Sequence, residues 1–129
     1  MNTPLHKQAM RGGTAFLTAG LLVMSTANAA TITLTTSDGF GTSSFNAAGH
    51  WSDSLAPSSG KTYSTAGFSL RTPANATSYT FAGDSLTVAT GGYLQYKGTS
   101  TSTITVNSLI LDGGTTGNVV NTADFHLAG

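Results

Sequence analysis

The sequence predicts an all-β domain, a right-handed parallel β-solenoid of few rungs, with a small β-sandwich as the alternative topology. Three observations predict it. Residues 30–129 contain 19 Thr, 14 Ser and 13 Gly, and Thr favours strands whereas Ser and Gly favour turns. The helix formers Glu, Lys, Gln, Arg and Met are nearly missing from the same stretch, which argues against a helical domain. Short apolar–polar alternations also recur between closely spaced turn signals, the texture of many brief strands.

The first element is not part of that domain. His6, Lys7 and Arg11 precede an apolar run from Ala15 to Met24, and Ala27-Asn28-Ala29 follows it. This is the order of a secretory signal peptide over 1–29, cut after Ala29. The apolar run is about half of the ~20 residues that a membrane span needs. No later segment is apolar enough to span, so the expected location is secreted or cell surface.

The exported part has three basic residues, Lys61, Arg71 and Lys97, against Asp38, Asp53, Asp84, Asp112 and Asp124. A weakly acidic chain without clustered Lys or Arg excludes electrostatic capture of nucleic acid or anionic lipid. The absence of cysteine removes the disulfide framework common in small exported domains. Stability must come from backbone pairing and a core.

Residues 30–67 read as an N-terminal strand and a turn-rich cap segment. Thr31–Thr35 alternates as a half-buried strand. Ser37–Gly49 is turn-rich, with Phe40 and Phe45 as anchors, and Gly49-His50-Trp51-Ser52-Asp53 follows. A loop over Ala56–Gly60 leads to an aromatic restart at Tyr63.

Residues 68–129 read as solenoid rungs. The predicted strands are Phe68–Arg71, Tyr79–Phe81, Leu86–Ala89, Tyr93–Lys97, Thr103–Val106, Leu109–Leu111, Asn118–Val120 and Phe125–Leu127. Their turns are Thr72–Asn75, Ala82–Asp84, Gly91-Gly92, Gly98–Ser100 and Asp112–Gly114. Apolar pairs at i and i+2 (Leu86/Val88, Leu94/Tyr96, Ile104/Val106, Leu109/Leu111) each put one face inward. The expected core is Trp51, Leu70, Phe81, Leu86, Val88, Leu94, Ile104, Leu109 and Leu111. The sequence stops on a strand and a glycine, Phe125–Gly129, without a polar capping stretch. The expectation is therefore a solenoid truncated at its C-terminal side, the N-terminal part of a longer protein. Its exposed final rung would be open to self-association.

An ordered set of short pieces supports the same architecture. It comprises Trp51-Ser52-Asp53, Ala56–Gly60 with Tyr63, Leu70–Pro73, Tyr79–Leu86, Gly91–Leu94, Val106–Gly114 and Leu127–Gly129. In this order they resemble the N-terminal region of secreted bacterial proteins that carry autotransporter-associated β-strand repeats. The resemblance implies a right-handed parallel β-helix outside the cell, serving as an adhesive or structural stalk. Such proteins normally continue for hundreds of residues into a sorting segment or outer-membrane barrel, neither of which falls within residues 1–129, so the resemblance carries over no means of anchoring and no ligand.

Motifs with chemical potential have plainer readings. Gly83-Asp84-Ser85-Leu86 spells the nucleophile motif of a hydrolase family, but the expected D-x-x-H is replaced by Asp124-Phe125-His126, one residue short. A Ser nucleophile needs a His base with an Asp to orient it, so the match reads as coincidence and no enzyme is expected. The other Asp residues sit beside Gly or Ser in turns, where Asp bonds nearby backbone. Asp112-Gly113-Gly114 only faintly matches a calcium-binding repeat, and His50 and His126 lack Cys partners for a transition metal. No catalytic residue, metal or cofactor is assigned. Trp51, with Tyr63 and His50, has two readings: a plug at the N-terminal end of the core, or an aromatic face that contacts carbohydrate. The function expected is a non-catalytic extracellular structural or adhesive segment. The alternatives are a carbohydrate-binding module and, behind it, a fragment of a polysaccharide-active enzyme. Extracellular polysaccharide or cell-surface components are the expected partners.

Overall fold

The computed structural model describes residues 29–75, 77–119 and 125–129, together with Gly13. The signal-peptide segment up to Asn28 (Gly13 apart), Ala76, Asp124 and the end of the strand expected at Asn118–Val120 lie outside the described residues. Within them the chain is all-β, with parallel sheets and no helix.

Ten strands form three sheets. They are β1 (Ile32–Thr33), β2 (Thr62–Ser64), β3 (Ser69–Arg71), β4 (Tyr79–Phe81), β5 (Ser85–Ala89), β6 (Tyr93–Tyr96), β7 (Ser102–Val106), β8 (Leu109–Asp112), β9 (Thr115–Asn118) and β10 (Phe125–Ala128). The first sheet runs β1-β2-β5-β8, the second β3-β6-β9 and the third β4-β7-β10. After β1 the chain visits the first, second and third sheets in that order, three times over. Every strand pairing is parallel.

Register puts like with like. Ile32, Tyr63, Leu86 and Leu109 pair in one column of the first sheet. Leu70 pairs with Leu94 in the second, Tyr79 with Ile104 in the third, and Phe81 with Val106 beside them. Because side chains alternate across a strand, these columns face one interior, and the residues between them face out. Thr33, Ser64, Thr87 and Ile110 form one outward column, and Thr80 and Thr105 belong to another.

Corners explain the composition. Gly67, Gly91 and Gly113 stand at the turn from the first sheet to the second, with φ of 89°, 76° and 72°. That is the left-handed region which side chains resist. At the corners, where the strand ladder breaks, hydroxyls take over as acceptors. Thr65 Oγ1 accepts from Ala89 N at 3.0 Å, Thr72 Oγ1 from Lys97 N at 3.1 Å and Ser78 Oγ from Thr103 N at 3.0 Å. Thr65 and Thr72 are fully buried, and the bond from Lys97 N to Thr72 is itself buried, so it satisfies a donor away from water.

The core contains Leu34, Phe45, Trp51, Tyr63, Leu70, Phe81, Leu86, Val88, Leu94, Tyr96, Ile104 and Val106, with Leu109 partly buried against it. One expected core residue is corrected. Leu111 is 53% exposed although it pairs with fully buried Val88. It continues an inward column, but β8 ends the first sheet, so no further strand among the described residues covers it. Two strands were invisible or displaced in the sequence. β2 holds one apolar residue between two hydroxyls, and β9 (Thr115–Asn118) lies upstream of the expected Asn118–Val120 because its inward residues are polar.

Equal truncations should therefore differ along one sheet. Leu86→Ala is expected to cost about 2–5 kcal/mol, and Leu111→Ala about 1 kcal/mol or less. Urea denaturation followed by circular dichroism compares the two, and equal losses would contradict the exposed position of Leu111.

Candidate functional site

Chemistry-bearing side chains concentrate in the loop between β1 and β2, which lies against β1, β3 and β4, each an edge strand of its sheet. Leu34 and Trp51 form an antiparallel bridge. Ser52 N donates to Thr33 O at 2.8 Å, and Thr33 N donates to Ser52 Oγ at 3.2 Å. The outer edge of β1 is thereby occupied by chain running the opposite way.

The edge of β3 is occupied by side chains as well as backbone. Asp38 N donates to Ser69 O at 2.8 Å, and Ser69 N donates to Ser37 Oγ at 3.0 Å. Arg71 N donates to Asp38 Oδ2 at 2.9 Å, and Ser43 Oγ donates to Arg71 O at 2.7 Å. Four backbone groups that would otherwise lie open on a sheet edge are thus paired. Over β4, fully buried Phe45 packs against Tyr79 and Phe81, with ring centroids at 6.4 and 5.3 Å.

Asp38 is the centre of this loop. Its carboxylate also accepts from Ser44 N at 2.8 Å and Ser44 Oγ at 2.7 Å. His50 Nδ1 lies 3.2 Å from Oδ1 but off the line of a good hydrogen bond. Lys97, which follows β6, reaches the same loop. Its ammonium donates to the carbonyls of Phe40 at 2.8 Å and of Gly39 and Thr42, and it lies 5.9 Å from the Phe40 ring. Burial pushes Lys97 below the ordinary lysine value, Asp38 draws it back up and Arg71 pushes it down again.

The aromatic residues expected at a carbohydrate face point inward. Trp51 is 2% exposed and Tyr63 fully buried. Trp51 Nε1 donates to Ser44 O at 2.7 Å, and Ser58 N donates to the Tyr63 hydroxyl at 3.0 Å. Their rings meet edge-on at 4.9 Å, and Tyr63 meets Phe81 at 5.2 Å. Of the two readings of Trp51 and Tyr63, burial and ring packing fit a place in the core, where neither ring has a free face. Their polar tips are satisfied locally, as buried Trp and Tyr require.

The remaining candidates hold turns. In Gly83-Asp84-Ser85-Leu86, Asp84 accepts from Gly60 N at 2.9 Å and Ser85 opens β5. A Cβ on Gly83 would sit 2.5 Å from Tyr63, so packing requires a glycine there. Ser85 stands in the first sheet and His126 in the third, so the motif's Ser and the nearest downstream His are not strand neighbours. Asp53 pairs with Lys61 at 3.0 Å, and Arg71 Nε donates to Gln95 Oε1 at 2.8 Å. Among the described residues no three His, Cys, Asp or Glu lie together as a metal site, and no cleft of ligand size is present.

The other edge strands of the three sheets differ. β8, β9 and β10 terminate the three sheets. Leu111 and Leu127, 53% and 42% exposed, continue the buried columns of Val88 and Ile104. Alternation in the sequence read Leu111 as buried, two residues after Leu109. Comparisons with protein-family models, curated proteins and solved structures found no match.

Two outcomes test the loop. Asp38→Ala should lose about 2–4 kcal/mol, since three donors lose a buried charged acceptor, and the amides of Ser44 and Arg71 should exchange faster with deuterium. Separately, the hydrogen bond from Lys61 holds the Asp53 carboxyl below its ordinary value of 3.8. A lowered folded-state value means the pair stabilises above that pH and its contribution disappears as pH falls through the lowered value. Carboxyl NMR titration should place the Asp53 midpoint below 3.8, and Lys61→Met should bring it back up.

Proposed function

We propose that the three sheets are the faces of a right-handed β-solenoid. In this reading the chain is a non-catalytic structural or adhesive segment displayed outside the cell, the N-terminal part of a longer surface protein. The carrying observation is where the side chains capable of chemistry are spent. Asp38, Lys97, Trp51 and Tyr63 are buried and bonded within the closed end, while Ser and Thr dominate the outward columns of the first and third sheets. A face of hydroxyls suits hydration and multiple weak hydrogen bonds to extracellular polysaccharide. The signal-peptide pattern at 1–29 supplies the route outward.

Export from a bacterial host tests the reading. The recovered protein should begin at Ala30 by N-terminal sequencing, and protease added to intact cells or medium should reach it. Incubation with a polysaccharide panel should release no reducing or unsaturated ends. Retention in the cytoplasm with Met1 intact, or sugar release above a heat-inactivated control, would refute it. Intact mass of the native product reports whether further rungs follow Gly129.

A further inference from the structure

We infer that the outward face of the second sheet, at Arg71, Tyr93 and Gln95, binds an acidic polysaccharide, one whose sugar rings carry carboxylates. This rests on the reading above of an extracellular chain that meets polysaccharide, and it gives that contact a place and a ligand class.

The three sheets carry different chemistry on their outward sides. Thr33, Ser64, Thr87 and Ile110 form an outward column of the first sheet, and Thr80 and Thr105 belong to one of the third. In the second sheet one outward column is Ser69, Tyr93 and Thr115, and the next is Arg71, Gln95 and Gly117. Alternation along β6 requires this, because Leu94 and Tyr96 are buried and the residues between them must face out. Tyr93 is 45% exposed, whereas Trp51, Tyr63, Phe81 and Tyr96 are buried. Among the described strands, Arg71 is the one Arg or Lys. An aromatic ring, a guanidinium and a carboxamide thus share one face.

The donors on this face are only partly used. Arg71 Nε donates to Gln95 Oε1 at 2.8 Å, which holds the two side chains against each other. The Nη groups of Arg71, Nε2 of Gln95 and the Tyr93 hydroxyl bond to no other described residue. With Nε engaged, the guanidinium edge formed by its two Nη groups remains, and that edge takes a carboxylate through two parallel hydrogen bonds. Tyr93 stands one strand across and two residues along from Arg71, steps of about 4.8 Å and about 6.6 Å. Its ring offers an apolar face to the C–H side of a sugar. Gly117 continues the Gln95 column without a side chain, and a Cβ there would meet nothing within 4 Å, so the face lies open beside the amide. Charge selects the ligand class. Lys97 feels both Arg71 and Asp38, and the Asp38 carboxylate is buried and bonded to Arg71 N. Two cations against one buried carboxylate leave a local positive excess, which favours an acidic sugar over a neutral one. A single guanidinium gathers no polyanion by its field; it recognises a carboxylate by geometry.

Titration of the purified chain with oligogalacturonate, followed by amide NMR shifts, tests the inference. Saturating shifts should appear at residues 69–71, 93–95 and 115–117. The methyl-esterified oligomer has the same backbone without the charge and should bind about tenfold more weakly or not at all. Arg71→Lys keeps a charge but loses the fork, and should weaken binding about tenfold. Tyr93→Ala should also weaken it, whereas Tyr93→Phe retains the ring face and the binding. Thr87→Ala, on the first sheet, should bind as the parent does. Unchanged far-ultraviolet dichroism shows that each variant has folded; if Arg71→Lys does not fold, Tyr93→Ala and the esterified oligomer decide the matter. Absence of saturation, equal affinity for the esterified oligomer, or shifts confined to the first and third sheets overturns the site and leaves the extracellular reading standing. Retention of the chain in the cytoplasm overturns the extracellular reading instead, and the titration still decides whether the face binds.

Discussion

The buried carboxylate of Asp38 is the constraint on which this architecture rests. A parallel sheet has edge strands whose backbone groups must be paired or covered. Asp38 does this by accepting from Arg71 N on the stack and from Ser44 within the loop. Its own N–H bonds to Ser69 O, so one residue acts as backbone and side-chain partner to the same strand. The loop so fixed positions Phe45 and Trp51, whose rings pack with Tyr63 and Phe81 in the core. Lys97 then ties the loop to the chain beyond β6. Polar residues organise this loop, and the aromatic cluster depends on their geometry.

Much of the fold was legible because burial follows a period of two. Leu86/Val88, Leu94/Tyr96 and Ile104/Val106 are inward pairs, as alternation indicates. Legibility failed where a strand lacks apolar residues. In β9 the inward position opposite Leu94 is Thr116, and nothing local distinguishes it from a turn. It failed also at Leu111, since inward direction and burial are separate properties and only a neighbouring strand turns the first into the second. Burial of Trp51 in the core was one of the two readings the sequence offered. The polar scaffold of the loop was not legible, because Asp38, Ser44, Arg71 and Lys97 are scattered along the chain and meet only through the sheets. Asp38 and Asp84 both read as turn formers, which is true of Asp84 and misses Asp38.

The abundance of Ser, Thr and Gly, which elsewhere signals loose chain, has a specific cause here. Strands of three to five residues turn corners so often that many backbone groups fall between ladders. Hydroxyls of Thr65, Thr72 and Ser78 take up such groups from the next pass of the chain. Glycine at Gly67, Gly91 and Gly113 accepts the left-handed backbone of one recurring corner. The composition follows from packing many turns against one another without cysteine.

The reach of Lys97 across to the carbonyls of Phe40 and Thr42 has a mechanical consequence. Every strand pairing is parallel, so tension applied on the C-terminal side of β10 would load the pairings of the later strands before those of β2 and β5. β10 would leave first, then β9 and β8, each release involving few bonds and a small force. The staple changes that once the chain between β6 and β7 is reached. Detaching Lys97 breaks contacts to a loop more than fifty residues away in sequence, so peeling stalls there and the remaining stack yields as one unit. Such a chain would extend easily at first and then hold.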